Sequence, residues 1–226
     1  MHITKRISSI CSYLEGSKLA DIGTDHCFLP IFAIKSGKVD SAIGVDVASQ
    51  PLHRAYENVS HEGLWDKIEL RLGNGLTPIA PGECDTAVIS GMGGALISTI
   101  IENGLHVARG LSQLILSPQS DPALVRRSLH KFGFEIYNED MVADGAKFYP
   151  LILARPCEKY ETQGYSDFDY EFGKIMLAKP NCDFLDFLRE LHRKNENIIN
   201  NNPLTETRKA EVLEVNGFVR EFLNSI

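Results

Sequence analysis

Several features are missing from the chain, and each absence removes a class of protein. No window reaches 18 consecutive apolar residues, so no membrane-spanning helix is expected. The opening stretch MHITKRISSICSYLEGSK has too short and too interrupted an apolar run for a signal peptide, which predicts a cytoplasmic protein. The five cysteines (Cys11, Cys27, Cys84, Cys157 and Cys182) are scattered, odd in number and never spaced C-x-x-C. They are expected to be reduced thiols serving mainly as apolar filler. The histidines show neither H-x-x-x-H nor H-E-x-x-H spacing, so no dedicated metal site is expected. An excess of basic charge is also lacking: the net charge of −7 argues against general attraction to a polyanion while leaving room for a local basic face.

What is present is a chain of 226 residues, 43% hydrophobic, long enough for one full core plus an appendage. Short β-branched runs at 18–23, 41–46, 68–73, 85–91 and 113–118 read as strands. Helical patterns near 27–37, 49–62, 94–104 and 121–132 separate them. Strand, helix, strand at this spacing predicts right-handed crossovers and a mostly parallel, doubly wound α/β sheet. The next stretch, GFEIYNEDMVADGAKFYPLILARP, reads as two strands joined by a turn at Asp144 and Gly145. A terminal antiparallel hairpin on such a sheet points to a Rossmann-like class I methyltransferase fold rather than to a dinucleotide dehydrogenase.

Beyond Pro156 the strand pattern ends. Phe184, Leu188, Leu191 and Ile198, with Asn195 on the same seam, follow helical spacing, and so do Val212, Val215, Val219, Phe222 and Ile226. The pair predicts an α-helical, coil-like hairpin turning at Pro203, and either a lid over the sheet domain or a substrate-gripping arm suits it equally. The expected domains are therefore 1–158 and 159–226.

In an open parallel sheet the ligand lies beyond the carboxyl ends of the strands. Asp21, Gly23, Thr24, Asp25 and His26 end the first strand; Asp46, followed by Val47, ends the second. Gly73, Asn74, Gly75 and Leu76 follow the third, and Gly91, Met92, Gly93 and Gly94 follow the fourth. Asp46 comes 23 residues after Gly23, the separation at which an acidic side chain accepts hydrogen bonds from ribose hydroxyls. Asn74, between two glycines, can reach an adenine edge, although an ordinary Asn-Gly turn is the competing reading. The G-x-G-x-x-G fingerprint is absent, and Asp25 and His26 stand in its second half, where a carboxylate would repel a pyrophosphate. S-adenosylmethionine carries a sulfonium, an amino group and no phosphate, so the odds move from a dinucleotide to this methyl donor as cofactor. Asp21, Gly23, Thr24, Asp46, Val47, Gly73, Asn74, Gly75, Leu76 and Gly91 are the expected cofactor contacts.

With these motifs assembled, the sequence resembles the bacterial tRNA adenine-22 N1-methyltransferases. The resemblance rests on LADIGTDHCFLP (19–30), GNGL (73–76), ISGMGG (89–94), LILSPQSDPALVRRSL (114–129), KFYPLILARP (147–156) and YEFG (170–173), in family order over essentially the whole chain. Three sites depart from the family pattern: Gln50-Pro51-Leu52 stands where Gly-Pro-Phe is frequent, Asn74 where Asp is usual, and Asp46 where Glu is common.

The resemblance implies methyl transfer to N1 of an adenine in the D-arm region of tRNA, with tRNA as partner and no DNA, membrane or obligate protein partner. N1-methylation leaves a positive charge on the ring, so a carboxylate at the N1/N6 edge would stabilise it and could accept a proton; Asp25 is the candidate. The competing role for Asp25 is to accept N–H bonds within its own turn. His26, Met92, Gly93 and Gly94 are expected to meet the base, with Phe28 or Tyr149 as stacking platforms. Lys5, Arg6, Arg126 and Arg127 are expected to contact phosphates. The rival readings are a methyltransferase for another RNA or a small molecule, and a silent module that binds the donor or RNA. A nicotinamide oxidoreductase is disfavoured by the missing second glycine and by the hairpin.

Overall fold

The computed structural model describes residues 3–158, 164–201 and 205–226. Its strands are β1 (Lys18–Ile22), β2 (Ser41–Asp46), β3 (Ile68–Leu72), β4 (Thr86–Ser90), β5 (Gln113–Ser117), β6 (Phe134–Asp144) and β7 (Lys147–Pro156). They form one sheet in the order β3-β2-β1-β4-β5-β7-β6. The first five pair in parallel, whereas β7 runs antiparallel to both β5 and β6. The expected mostly parallel sheet with a terminal hairpin is thus present, and each of its five parallel strands lies within one residue of its expected bounds. In the hairpin Asp144 pairs with Lys147, and Gly145 takes φ +62°.

Helices α1 (Lys5–Ser12), α2 (Phe28–Lys35) and α3 (Ser49–Glu62) cover one face; α4 (Gly94–Asn103), α5 (Leu105–Ala108) and α6 (Pro122–Lys131) cover the other. Side chains alternate along a strand, and the two cores divide accordingly. Ala20, Ile22, Ala87, Ile89, Leu114 and Leu116 pack against Ile97, Ile101, Val125 and Leu129. Leu19, Val88 and Ile115 pack with Ile10, Ile31, Ala55 and Val59 on the opposite side. Cys11, Cys27 and Cys84 are buried in these cores as expected, but Cys182 is exposed.

Helix α1 is an element that the sequence pattern does not announce. The Thr4 hydroxyl accepts from the Ile7 N–H at its start. Polar ties then fix it to the sheet: the Arg6 N–H donates to Asp144, and the Tyr13 hydroxyl donates to Asp140. Buried Gln113 uses both ends of its amide, donating to the Tyr13 carbonyl and the Tyr137 hydroxyl while accepting from the Glu15 N–H and the Thr86 hydroxyl.

A second unexpected element is a π-helical turn, Asp169–Gly173, running into α7 (Lys174–Ala178). Arg126 on α6 is fully buried. Its Nε donates to Glu139 at 2.7 Å, and Nη1 donates to the carbonyls of Tyr170 (2.7 Å) and Glu171 (2.9 Å). The other Glu139 oxygen accepts from the Ile175 N–H. Gly173 has φ +93°, and a Cβ there would fall 2.6 Å from the Glu139 carboxylate, so only glycine lets the segment pass. Arg126 is therefore a structural clamp and not a phosphate contact; its charge is spent on an internal carboxylate and on free carbonyls.

Residues 1–178 form one compact unit and 179–226 a second, placing the division twenty residues beyond the expected 158. The clamp accounts for this, since it ties Tyr170 to Ile175 to the sheet domain. The second unit consists of α8 (Cys182–Asn201) and α9 (Glu206–Ser225). Phe184, Leu188 and Asn195 are buried against Val212, Asn216 and Val219. Ile226, expected on the seam, is exposed, and Asn216, not expected there, hydrogen-bonds His192 and Glu196. The turn expected at Pro203 lies outside the described residues.

Breaking a buried pair by removing one partner leaves an uncompensated charge, a loss of about 3–5 kcal/mol. Arg126→Ala should lower unfolding free energy by that amount in urea titrations followed by circular dichroism. A loss below about 1 kcal/mol would mean that the clamp does not hold the segment.

Candidate cofactor and substrate site

The loops at the carboxyl ends of β1 to β4 meet at one rim. After β1 the chain must turn at once, and Gly23 does so with φ +75°. The N–H groups of Gly23 (2.8 Å) and Thr24 (3.0 Å) both donate to the Val45 carbonyl, which fastens this turn to the end of β2. Asp25 and Cys27 then take φ +43° and +58°. Left-handed conformations at residues with a Cβ cost about 1 kcal/mol or more, so the surroundings must impose them. Part of that constraint is visible: the Asp25 N–H donates to Asp46 Oδ2 (3.3 Å), whose Oδ1 accepts from the Ala48 N–H (3.0 Å).

Inside the turn Asp21 is buried and accepts the Thr24 hydroxyl at 2.7 Å. Burial pushes its carboxyl up to about 6; the Thr24 hydrogen bond and the Arg6 charge oppose the rise, and the Asp46 charge adds to it. Burial likewise pushes the Cys27 thiol up to about 12, so it stays neutral as core filler.

A cavity of about 130 Å³ opens beside this turn. Gly23, Asp46, Val47, Gly73, Asn74 and Gly75 line it, six of the ten expected cofactor contacts. Gly73 and Gly75 allow the loop to press on Pro78 and Ile100, each only 2.8 Å from where a Cβ would lie, so backbone walls the cavity there. Met92, expected at the substrate, lines this cavity instead, and its methyl group sits directly over Gly23. Leu96 and Ile100 complete the apolar wall; with Met92 they follow an i, i+4, i+8 pattern that could have been read from the sequence. Asp21 and Thr24 stand behind the wall as its support. The Leu76 side chain lies in the core against Gly104.

Asp25 is half-exposed, and its N–H is held by the Asp46 carboxylate that lines the cavity. Asp25 Oδ1 accepts from Arg54 Nη2, and Oδ2 lies 3.7 Å from His26 Nε2. His26 stacks on Phe28 with centroids 5.0 Å apart, and its carbonyl accepts from Asn58 Nδ2. Arg54 and Asn58 are one turn apart on α3 and brace both residues of the unusual turn. Neither was anticipated, because a polar i, i+4 pair on a helix ordinarily reads as solvated surface.

After β4, Gly91 has φ +81° and is exposed, while Gly94 is buried. The Gly94 N–H donates to the Ser120 carbonyl, Gly93 bridges to Ser120, and the Gln119 N–H donates to the Met92 carbonyl at 2.8 Å. Gly94 is therefore glycine because the loop after β5 packs on it, which leaves Gly91 as the open floor of the rim. Arg6 lies over the Tyr149 ring at 4.7 Å, joining two expected substrate contacts near Lys5. Arg127 pairs with Asp167 and lies 4.0 Å over Tyr170, on a helix that covers the opposite face from α1. Among the described residues, no cluster of three His, Cys, Asp or Glu could hold a metal ion, and no helix is long and apolar enough to cross a membrane.

A sheet of this order, with a recess between an acidic β2 terminus and glycine loops, defines a class I methyltransferase architecture. A family model described as a methyltransferase domain matches residues 3–152, and the chain belongs to that family. It is 34% identical over 155 residues to the tRNA (adenine(22)-N(1))-methyltransferase of Bacillus subtilis; the match covers 68% of this chain and spans 65% of that protein's length. Among solved structures it is similar to the B. subtilis tRNA methyltransferase TrmK (28% identity, TM-score 0.83, 98% of this chain and 99% of that one). A candidate tRNA (m1A22) methyltransferase of Streptococcus pneumoniae in complex with S-adenosyl-L-methionine gives 29% identity and TM-score 0.87, covering 98% of this chain and all of that one.

The raised Asp21 carboxyl makes stability depend on pH with a fixed sign. Its folded-state value of about 6 lies above the ordinary 3.8. Ionising it therefore opposes folding: not at all below about pH 4, increasingly through the interval, and fully above about pH 6. Asp21→Asn removes the ionisation, so its stability relative to wild type should improve by about 3 kcal/mol between pH 4 and pH 7 in denaturant titrations. A pH-independent difference would show that Asp21 is not stripped of water.

Proposed function

We propose that the protein transfers a methyl group from S-adenosylmethionine to N1 of adenine 22 of tRNA, in the D-arm region. The observation that carries this reading is the juxtaposition of the cavity at Gly23, Asp46 and Asn74 with the turn that carries Asp25, whose N–H donates to the Asp46 carboxylate.

The residues present fit the cofactor. Asp46 keeps lone pairs on both oxygens for ribose hydroxyls beyond the two N–H groups it already accepts, and Asn74 can pair with an adenine edge. Val47, Leu96 and Ile100 offer apolar surface to the ring. Bound there, the cofactor supplies an electrophilic methyl group on a sulfonium.

The chain's own task is orientation. Adenine N1 is already nucleophilic, so holding it in line with that methyl group supplies most of the rate. As N1 forms its bond the ring becomes cationic, and a carboxylate at the N1/N6 edge stabilises that charge. Arg54 holds Asp25 Oδ1, which leaves Oδ2 as the acceptor for an N6 hydrogen. Because N1 lies on the pairing edge, the base has to leave its stack, and the RNA must be gripped outside the pocket. Lys5, Arg6 and Tyr149 form the proposed grip, a cation over an aromatic ring beside a second basic residue.

Purified protein incubated with labelled S-adenosylmethionine and tRNA from cells lacking it should yield 1-methyladenosine in a nucleoside digest. Donor binding without that nucleoside would overturn the reading in favour of another substrate or a silent binding module. Asp25→Asn should lower turnover about 100-fold, the scale of a positioned proton acceptor, with donor affinity unchanged by calorimetry. Undiminished turnover would remove Asp25 from the chemistry.

A further inference from the structure

Beside Gly91 stands the side chain of Gln119. It is the first residue beyond Pro118 and is exposed at the end of β5. Its backbone is fixed: its N–H donates to the Met92 carbonyl, and its neighbour Ser120 accepts from the Gly94 N–H and bridges to Gly93. Its side-chain amide makes no hydrogen bond among the described residues. Over Gly91, the nearest heavy atom to the position a Cβ would take is Gln119 Nε2 at 3.9 Å. An unpartnered primary amide on a fixed stretch of backbone therefore borders exposed Gly91, one residue away from Met92 of the cavity.

We infer that Gln119 selects adenine by pairing with the N6/N7 edge of the target base as it lies over Gly91. This rests on the proposed N1-methylation and deepens it. A base that is to be methylated at N1 cannot be recognised by a hydrogen bond to N1, so its identity must be read elsewhere. The N6/N7 edge presents one donor and one acceptor side by side, which the oxygen and nitrogen of a glutamine amide match in a bidentate pair. N6 carries two hydrogens: the one beside N1 faces the Asp25 carboxylate, and the one beside N7 is left for Gln119 Oε1. Guanine presents two acceptors, O6 and N7, on the same edge and would set O6 against the amide oxygen. The site would thus read adenine while leaving the reacting nitrogen uncovered.

The test compares wild type and Gln119→Leu on two tRNA transcripts, one ordinary and one with 7-deazaadenosine, which lacks the N7 acceptor, at the target nucleotide. Wild type should lose kcat/KM about tenfold or more on the analogue, in the range that one bidentate base contact discriminates. Gln119→Leu should show a similar loss on ordinary tRNA, no further loss on the analogue and unaltered S-adenosylmethionine affinity. Because the variant also reports any effect of the analogue on N1 reactivity, the comparison isolates the contact. Equal sensitivity of both proteins to the analogue, or full activity of the variant on ordinary tRNA, overturns the role of Gln119 alone. Absence of 1-methyladenosine with wild type overturns the N1 activity itself, and this role with it.

Discussion

The site depends on one fastening, the attachment of the turn after β1 to the end of β2. Two successive N–H groups converge on the Val45 carbonyl, and a third reaches the Asp46 carboxylate. These bonds fix where Gly23 bends, hold Asp25 in a conformation it would otherwise avoid, and place the turn beside the recess at the carboxyl end of β2. Asp46 is at once a wall of the recess and a support for the turn that carries the proposed catalytic carboxylate. A change at Asp46 therefore acts on both the recess and the turn carrying Asp25, and the two effects are coupled by geometry.

The sheet was legible because its strands are short, nearly continuous apolar runs separated by helical periods, and because Asp144-Gly145 marks the hairpin. The recess at the rim was legible for a related reason: in a parallel sheet, the loops leaving the strands collect at one rim. Helix α1 was not legible, since KRISSICS buries only Ile10 and Cys11 and is held by hydrogen bonds to residues about a hundred positions away. Arg126 was misread because a charged residue on an amphipathic helix is ordinarily solvated; only the adjacent strand, through Glu139, reverses that. Leu76 and Gly94 lie within motifs expected to face the ligand, yet the Leu76 side chain faces the core and the Gly94 hydrogen meets the loop after β5. A motif locates a loop without telling which of its residues point outward.

The helical unit shows the same distinction. Its apolar seam follows from spacing, whereas the polar group of His192, Asn216 and Glu196 does not. A buried asparagine in a helix pair favours one register, because any slip leaves its amide unpaired.

The π-helical turn at Asp169–Gly173 has a consequence for how the chain tolerates changes in length. A π-turn holds one more residue than an α-turn, and the carbonyls of Tyr170 and Glu171 are turned toward Arg126. Deleting a single residue here would convert the turn to ordinary helix and return both carbonyls to hydrogen bonds along the helix, withdrawing them from the guanidinium, while α7 keeps nearly the same facing. The last segment of the sheet domain is thus counted to the residue, and drift in its length is constrained by a charge buried on α6, more than forty positions earlier in the chain.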